Sequence, residues 1–251
     1  MGESRDNEAL RQALEKAEDS LRQRAGIGTL AEKTLHAAVK FYMEPDPAFH
    51  EVPHLGFVAD ILNSEGVIEI QTRSFERLRR KLAVFLAAGP VTLVCPLPHL
   101  KYLLWLDPET GEVSRRRKSP KTGRPWHLLP ELFRIGELLD HPDLSILVLL
   151  LDMEEYRNLD GWSRDRKRGS HRLERLPLSL HRELWLREKA DWRAMLPEGL
   201  PEEFTRQEFA GLGRFSDRQS GAALKVLCRM GLAERCGKQG RAYLYRLTPP
   251  E

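Results

Sequence analysis

The stretch Phe57-Val58-Ala59-Asp60-Ile61-Leu62-Asn63-Ser64-Glu65-Gly66-Val67-Ile68-Glu69-Ile70-Gln71 decides the fold. Asn63 to Gly66 is turn chemistry, and the aliphatic runs on either side predict the two strands of a hairpin. A two-residue or a four-residue loop gives one register, in which Asp60 faces Glu69, Leu62 faces Val67 and Val58 faces Gln71. Strand side chains alternate, so Glu69 and Gln71 share a face, while Ile68, Ile70, Ala59 and Ile61 are directed into a core. Two carboxylates directly opposite have Cβ atoms about 5 Å apart and repel. A divalent cation between them reverses the sign of that interaction. Oxygen ligands suit magnesium or manganese, and such an ion activates water and stabilises charge developing on a phosphate. The other reading of the pair is a solvated sheet edge.

Outward from the hairpin, apolar spacing predicts a helix from Thr29 to Tyr42, ended by Pro45 and Pro47. Strand-like runs follow at Phe49 to Pro53, Phe57 to Leu62 and Val67 to Gln71, then a charged helix over Ser74 to Ala87 and an apolar strand over Val91 to Pro96. The order helix, three strands, helix, strand indicates an α/β or α+β layered architecture. Tyr102 to Asp107 and Glu112 to Arg115 flank the turn residues 108–111 and read as a hairpin, and Leu144 to Leu151 as a strand covered on both faces. Leu180 to Met195 reads as a helix leading to the Pro-rich linker 196–201. The predicted divisions are an N-terminal helix over 1–25, an α/β domain over 26–175, a connecting helix and linker over 176–200, and a separate small unit over 201–251. On the N-terminal helix, Leu10, Leu14, Ala17 and Leu21 form a stripe that either packs on the body or makes a homodimer contact through residues 6–24.

An Asp, a short hairpin, then Glu-x-Lys, with an acidic residue on the preceding helix, is the signature of the PD-(D/E)XK nucleases, and this chain resembles it through Asp60, Glu69 and Gln71, with Glu32 on the helix. The element order over residues 26–96 is similar to that superfamily's core. The resemblance implies a restriction-endonuclease-like α/β/α core with a mixed sheet. It implies a magnesium or manganese ion held by Asp60, Glu69 and the main-chain carbonyl of Ile70, with Gln71 orienting the attacking water. The family usually has Lys at the Gln71 position. Gln hydrogen-bonds a water but brings no charge, and Arg73 or Arg77 is the candidate for the missing cation. Glu32 has a competing local reading, since Thr29-Leu30-Ala31-Glu32 is a capping box. The whole chain also resembles bacterial proteins that join such a core to a helix-turn-helix.

Near the C-terminus, Thr205 caps one short helix, and Ser216-Asp217-Arg218-Gln219 is a capping box opening another that runs to Met230. A strand pair, Ala233 to Cys236 and Arg241 to Arg246, follows around Gly237 to Gly240. Two helices joined by a tight turn and followed by a β-ribbon resemble a winged helix-turn-helix, a small α+β domain. That resemblance implies duplex binding by Arg218, Lys225 and Arg229 on the second helix and by Lys238 and Arg241 on the wing. Protein docking is the other use of such a unit.

Charge agrees with this division. The 251 residues carry a net charge of +3, but residues 1–160 sum to −4 and residues 161–251 to +7. A basic second part suits a polyanionic partner. Within it, Arg164, Arg166, Lys167 and Arg168 beside Trp162 form a candidate phosphate-gripping loop, and Arg115 to Lys118 form another. No apolar run reaches the roughly 20 residues of a membrane helix, and the polar start lacks the core of a signal peptide. Three cysteines without a CxxC spacing indicate neither disulfides nor a zinc site. His50 and His54 are spaced for one strand face, where a structural use outweighs a zinc pair. No P-loop or dinucleotide-binding glycine pattern occurs. These readings converge on a cytoplasmic, magnesium-dependent deoxyribonuclease acting on duplex DNA and having no membrane partner. The competing expectation is a DNA-binding regulator or adaptor whose nuclease fold has lost catalysis, and a third is a protein-interaction subunit.

Overall fold

The computed structural model of the protein describes residues 5–24, 33–158 and 171–249. The first half runs α1 (Arg5–Arg24), α2 (Lys33–Met43), β1 (His50–His54), β2 (Phe57–Asn63), β3 (Gly66–Ile70), α3 (Phe75–Leu86), β4 (Val91–Leu106) and β5 (Arg117–Lys118). The second half runs α4 (Leu129–Leu132), β6 (Leu144–Asn158), β7 (His171–Leu186), β8 (Glu203–Thr205), α5 (Arg206–Gly213), α6 (Asp217–Arg229), β9 (Ala233–Gln239) and β10 (Ala242–Leu247). The chain is mixed α/β. One sheet has the order β1-β2-β3-β4-β6-β7 with β5 on β4, and a smaller one has the order β8-β10-β9.

The first three strands form an antiparallel meander. Leu55 and Gly56, at φ 50° and 79°, supply the two left-handed positions of the two-residue turn between β1 and β2. The β2–β3 pairing is the one read from the sequence: Ile61 opposite Ile68, Leu62 opposite Val67, Asn63 opposite Gly66. Gly66 closes this turn at φ 116°, where a Cβ would stand 2.4 Å from the carbonyl oxygen of Pro90. Only glycine lets the hairpin tip seat on the α3–β4 corner. From β3 the chain crosses through α3 into β4, which is parallel to β3; β6 is parallel to β4, and β7 closes the sheet antiparallel to β6. Pro96 and Pro98 are tolerated within β4 because β3 pairs only with Val91 to Val94 and a bulge lies between Pro98 and Lys101.

Two apolar clusters cover the sheet. Phe75, Leu78, Leu82, Phe85 and Leu86 recur on one face of α3 and pack with Ala59, Val67, Leu93, Ile146 and Val148. Leu35 and Val39 of α2, with Leu10 of α1, pack with Ile61, Ile68, Ile70, Leu147, Leu149 and Leu151. Ala59 and Ile61 are both buried, as expected, but they belong to different clusters. The face of β2 therefore changes across Asp60, and Glu51, its neighbour on β1, has φ 53°. Regular alternation does not hold at Asp60, one of the two expected metal-holding carboxylates.

Two expectations need correction, and the α1 stripe takes the first of its two readings, packing on the body. Residues 180–195 are not a helix: β7 runs unbroken to Leu186, and only Asp191–Met195 forms a short 3-10 turn. Leu180 and Leu184 are four apart, which mimics a helix, but Leu184 and Leu186 alternate into the core beside β6. The stripe of α1 is used within the chain, with Leu10, Ala13 and Ala17 buried and the Leu180 amide donating to Asn7 Oδ1 at 2.6 Å. Leu14 and Leu21 of the same stripe are half-buried. Finally, the segment after the linker is not insulated, because Phe204, Phe209, Leu224, Val226 and Leu227 lie in the same cluster as Leu128, Leu129, Leu132 and Ile135. Each such burial contributes roughly 1.5–3 kcal/mol, more than a surface ion pair at roughly 0–1.

Candidate functional site

The ladder between β2 and β3 stops at Ile61 and Ile68, and in the gap beyond it side chains replace main-chain pairing. The Asp60 amide donates to Glu69 Oε1 at 3.1 Å, and the Ile70 amide donates to Asp60 Oδ2 at 2.8 Å. Both carboxylates converge on this gap, at the junction where the antiparallel meander meets the parallel strand β4. Each has a second partner from the helix covering its own side. His36 Nε2 on α2 stands 3.2 Å from Asp60 Oδ2, and Lys81 Nζ on α3 donates to Glu69 Oε2 at 2.5 Å. The Glu69 side chain is 3% exposed and that of Asp60 20%.

Burial, reinforced by the Asp60 charge, pushes the Glu69 carboxyl up to about 7 against the pull of Lys81. Asp60 moves the opposite way: burial opposes ionisation, but His36, the Ile70 amide and Lys81 together hold its carboxyl below the ordinary range. The two carboxyls therefore shift in opposite directions, Glu69 holding its proton to higher pH than Asp60. Oδ1 of Asp60 has no hydrogen-bond partner among the described residues and is within reach of solvent.

The other expected residues divide. Gln71 donates its amide N–H to Val94 O at 2.8 Å and its side-chain amide to the Arg73 carbonyl, so the side-chain nitrogen is committed to the backbone instead of to the carboxylates. Arg73 and Arg77 are exposed, and the cation beside Glu69 is Lys81, one turn beyond Arg77. Lys81 is the single lysine of α3, at position i+4 from Arg77, and that spacing was the available signal. His36 gave no signal beyond lying one turn after Glu32. Glu32 itself, and Arg164, Arg166, Lys167 and Arg168, lie outside the described residues. Among the described residues no group of three or more His, Cys, Asp or Glu side chains is placed to hold a metal ion, so a centre here would rest on the two carboxylates and main-chain oxygen. His50 and His54 are structural: the first meets the Glu44 carbonyl at 2.8 Å and the Phe41 ring, the second the Phe85 ring.

A second charged cluster lies on β4, β6 and β7, past the end of β3. Glu155, 1% exposed, accepts from Lys101 at 3.2 Å, Arg157 at 2.5 and 2.8 Å and Arg175 at 3.2 Å. These cations overcome the burial of the Glu155 carboxyl and hold it down at about 2.

In the C-terminal segment both capping boxes form, Thr205 with Glu208 and Ser216 with Gln219. The second helix does not present its basic face freely. Arg229 pairs with both oxygens of Asp140 at 2.9 and 3.0 Å, and the Lys225 ammonium lies 5.1 Å from the Phe133 ring centroid. Arg218, at the other end of α6, is exposed. The ribbon turns at Gly240 and Arg241, later than expected, with Lys238 still within β9.

A family model described as a domain of unknown function (DUF8091) matches residues 33–187. An uncharacterized protein of Treponema pallidum (strain Nichols) is 32% identical over 225 residues, covering 89% of this chain and 88% of its own. No solved structure matches. Among the described residues no helix is long and apolar enough to cross a membrane.

Proposed function

Since the chain belongs to the DUF8091 family, whose matched span contains His36, Asp60, Glu69 and Lys81, we propose that these four side chains form the working centre of a metal-dependent phosphodiesterase acting on DNA, in a core of the restriction-endonuclease type. One observation carries the reading: the Asp60 and Glu69 carboxyl groups meet in a break of the sheet, each accepting a main-chain N–H from the other's strand, with a lysine on Glu69. The donor set fits magnesium or manganese, being all oxygen: Oδ1 of Asp60, a carboxylate oxygen of Glu69 and the Ile70 carbonyl. A bound ion supplies a Lewis acid and a more acidic water. His36 fixes the Asp60 carboxylate. In this reading Lys81 provides the charge that Gln71 lacks and offsets negative charge developing on the phosphate. Gln71, with its nitrogen tied to Arg73, offers its side-chain oxygen as an acceptor for a water proton.

The test is cleavage of plasmid or linear duplex DNA in magnesium, in manganese and in EDTA. Metal-dependent nicking that disappears with Lys81→Ala supports the reading; no metal-dependent cleavage of any nucleic acid overturns it. The metal must also compete with the Glu69 proton. Divalent affinity, followed by calorimetry, is therefore expected to rise about tenfold per pH unit below about 7 and to level off above it.

A second reading is a DNA-binding regulator in which this centre is inert. It is favoured by the closed contact of Lys81 on Glu69 and the tethered amide of Gln71. It predicts duplex affinity that falls steeply with salt and no calorimetric heat with manganese.

A further inference from the structure

The C-terminal segment carries a groove of about 1050 Å³ between α6 and the β9–β10 ribbon, on the side of α6 away from Asp140. Asp217, Gly221, Leu224, Lys225 and Cys228 follow one another along its helical wall. Gly221 keeps that wall low: a Cβ there would stand 3.2 Å from the Arg206 guanidinium, a tight contact. The opposite wall is aromatic. Tyr243 is 45% exposed, with the Arg235 guanidinium 3.7 Å from its ring centroid and Lys238 Nζ at 5.4 Å. Arg206, Lys225, Arg235 and Arg241 line the groove against two acids, Asp217 and Glu234, and Arg206 is paired with Asp217 at 2.8 Å. The surplus charge calls for an anionic occupant, and the exposed Tyr243 ring, on one face of which Arg235 is stacked, calls for one with a π-surface to take the other face. Base on aromatic with arginine alongside is how unpaired nucleic acid is held.

The alternative, α6 laid in the major groove of a duplex, conflicts with the packing. That entry would use the face bearing Arg218, Lys225 and Arg229, and Asp140 already holds Arg229 at 2.9 Å. The groove, at about 1050 Å³, is of the size of a ligand site near the top of the usual range of roughly 300–1,000 Å³.

We propose that the groove between α6 and the ribbon binds single-stranded nucleic acid, with a base stacked on Tyr243 and its phosphates on Arg235 and Arg241. The inference rests on the nucleic-acid reading above and names its substrate class: DNA with an unpaired segment, at an end, a flap or a bubble.

The experiment is fluorescence anisotropy on the full chain in EDTA, where cleavage plays no part. A labelled oligothymidylate of about 12 nucleotides is compared with a blunt duplex and with poly-glutamate as competitors. The expected result is preference for the single strand, lost about tenfold in Tyr243→Ala and restored in Tyr243→Trp, with Arg229→Ala unchanged. Arg241→Ala should lower the salt slope by about one. Duplex binding indifferent to Tyr243→Ala overturns the groove assignment and spares the nuclease reading. Competition by poly-glutamate as strong as by DNA overturns it in favour of an acidic peptide. No binding of any oligonucleotide overturns both.

Discussion

Asp60→Asn is expected to lower metal-dependent DNA cleavage by at least about a thousandfold while leaving the fold intact, the loss that follows when several kcal/mol of transition-state stabilisation departs with the ion. Asparagine is nearly isosteric, and its oxygen still accepts from the Ile70 amide, so the β2–β3 gap keeps its geometry. Removing the Asp60 charge also removes the electrostatic contribution that raises Glu69, whose carboxyl then ionises more readily beside Lys81. Thermal stability near neutral pH should therefore hold or rise as activity disappears. A plasmid-nicking assay run beside a melting curve separates the outcomes. Equal loss of both would make Asp60 a structural residue, and unchanged cleavage would remove the centre altogether.

Glu155→Gln is expected to be the most destabilising single substitution at a polar position, costing about 3–5 kcal/mol and lowering Tm by roughly 10 °C. The carboxylate sits at 1% exposure among Lys101, Arg157 and Arg175, and an amide in its place leaves three cations crowded without the charge that gathers them. The pH dependence has a definite sign. The Glu155 carboxyl is depressed from the ordinary 4.5 to about 2, so its contribution is complete above about 4.5 and is lost as pH falls toward 2. Glu69 works oppositely. Its raised carboxyl favours the folded state below 4.5 and ceases to do so as pH rises through about 7. Acid unfolding measured on wild type and Glu155→Gln should converge at the low end, and a constant gap down to pH 2 would show that the charge is not what matters there.

The hairpin was legible in the sequence because its information is local. Asn63 to Gly66 sets the turn, and alternation sets the pairing from Ile61 to Gly66. The two capping boxes and the doubly covered strand β6 were legible for the same reason. What escaped depends on partners distant along the chain. Lys81 reaches Glu69 only because α3 crosses back over the sheet, and Arg229 meets Asp140 across 89 positions. β7 reads as a helix from the sequence because four-residue leucine spacing suits both periods until a neighbouring strand decides between them. The change of face at Asp60 follows from Glu51 on the next strand, whose left-handed backbone no turn motif announces.

The shared apolar cluster under α6 has a mechanical corollary. A chain ending at residue 200 would present Leu128, Leu129, Leu132 and Ile135 as raw oily surface, and the tail alone would lack a floor. Neither fragment should behave as a folded monomer, and heating the intact molecule should melt it in a single calorimetric peak. Whatever grips the tail would thereby pull on the platform that holds the acids.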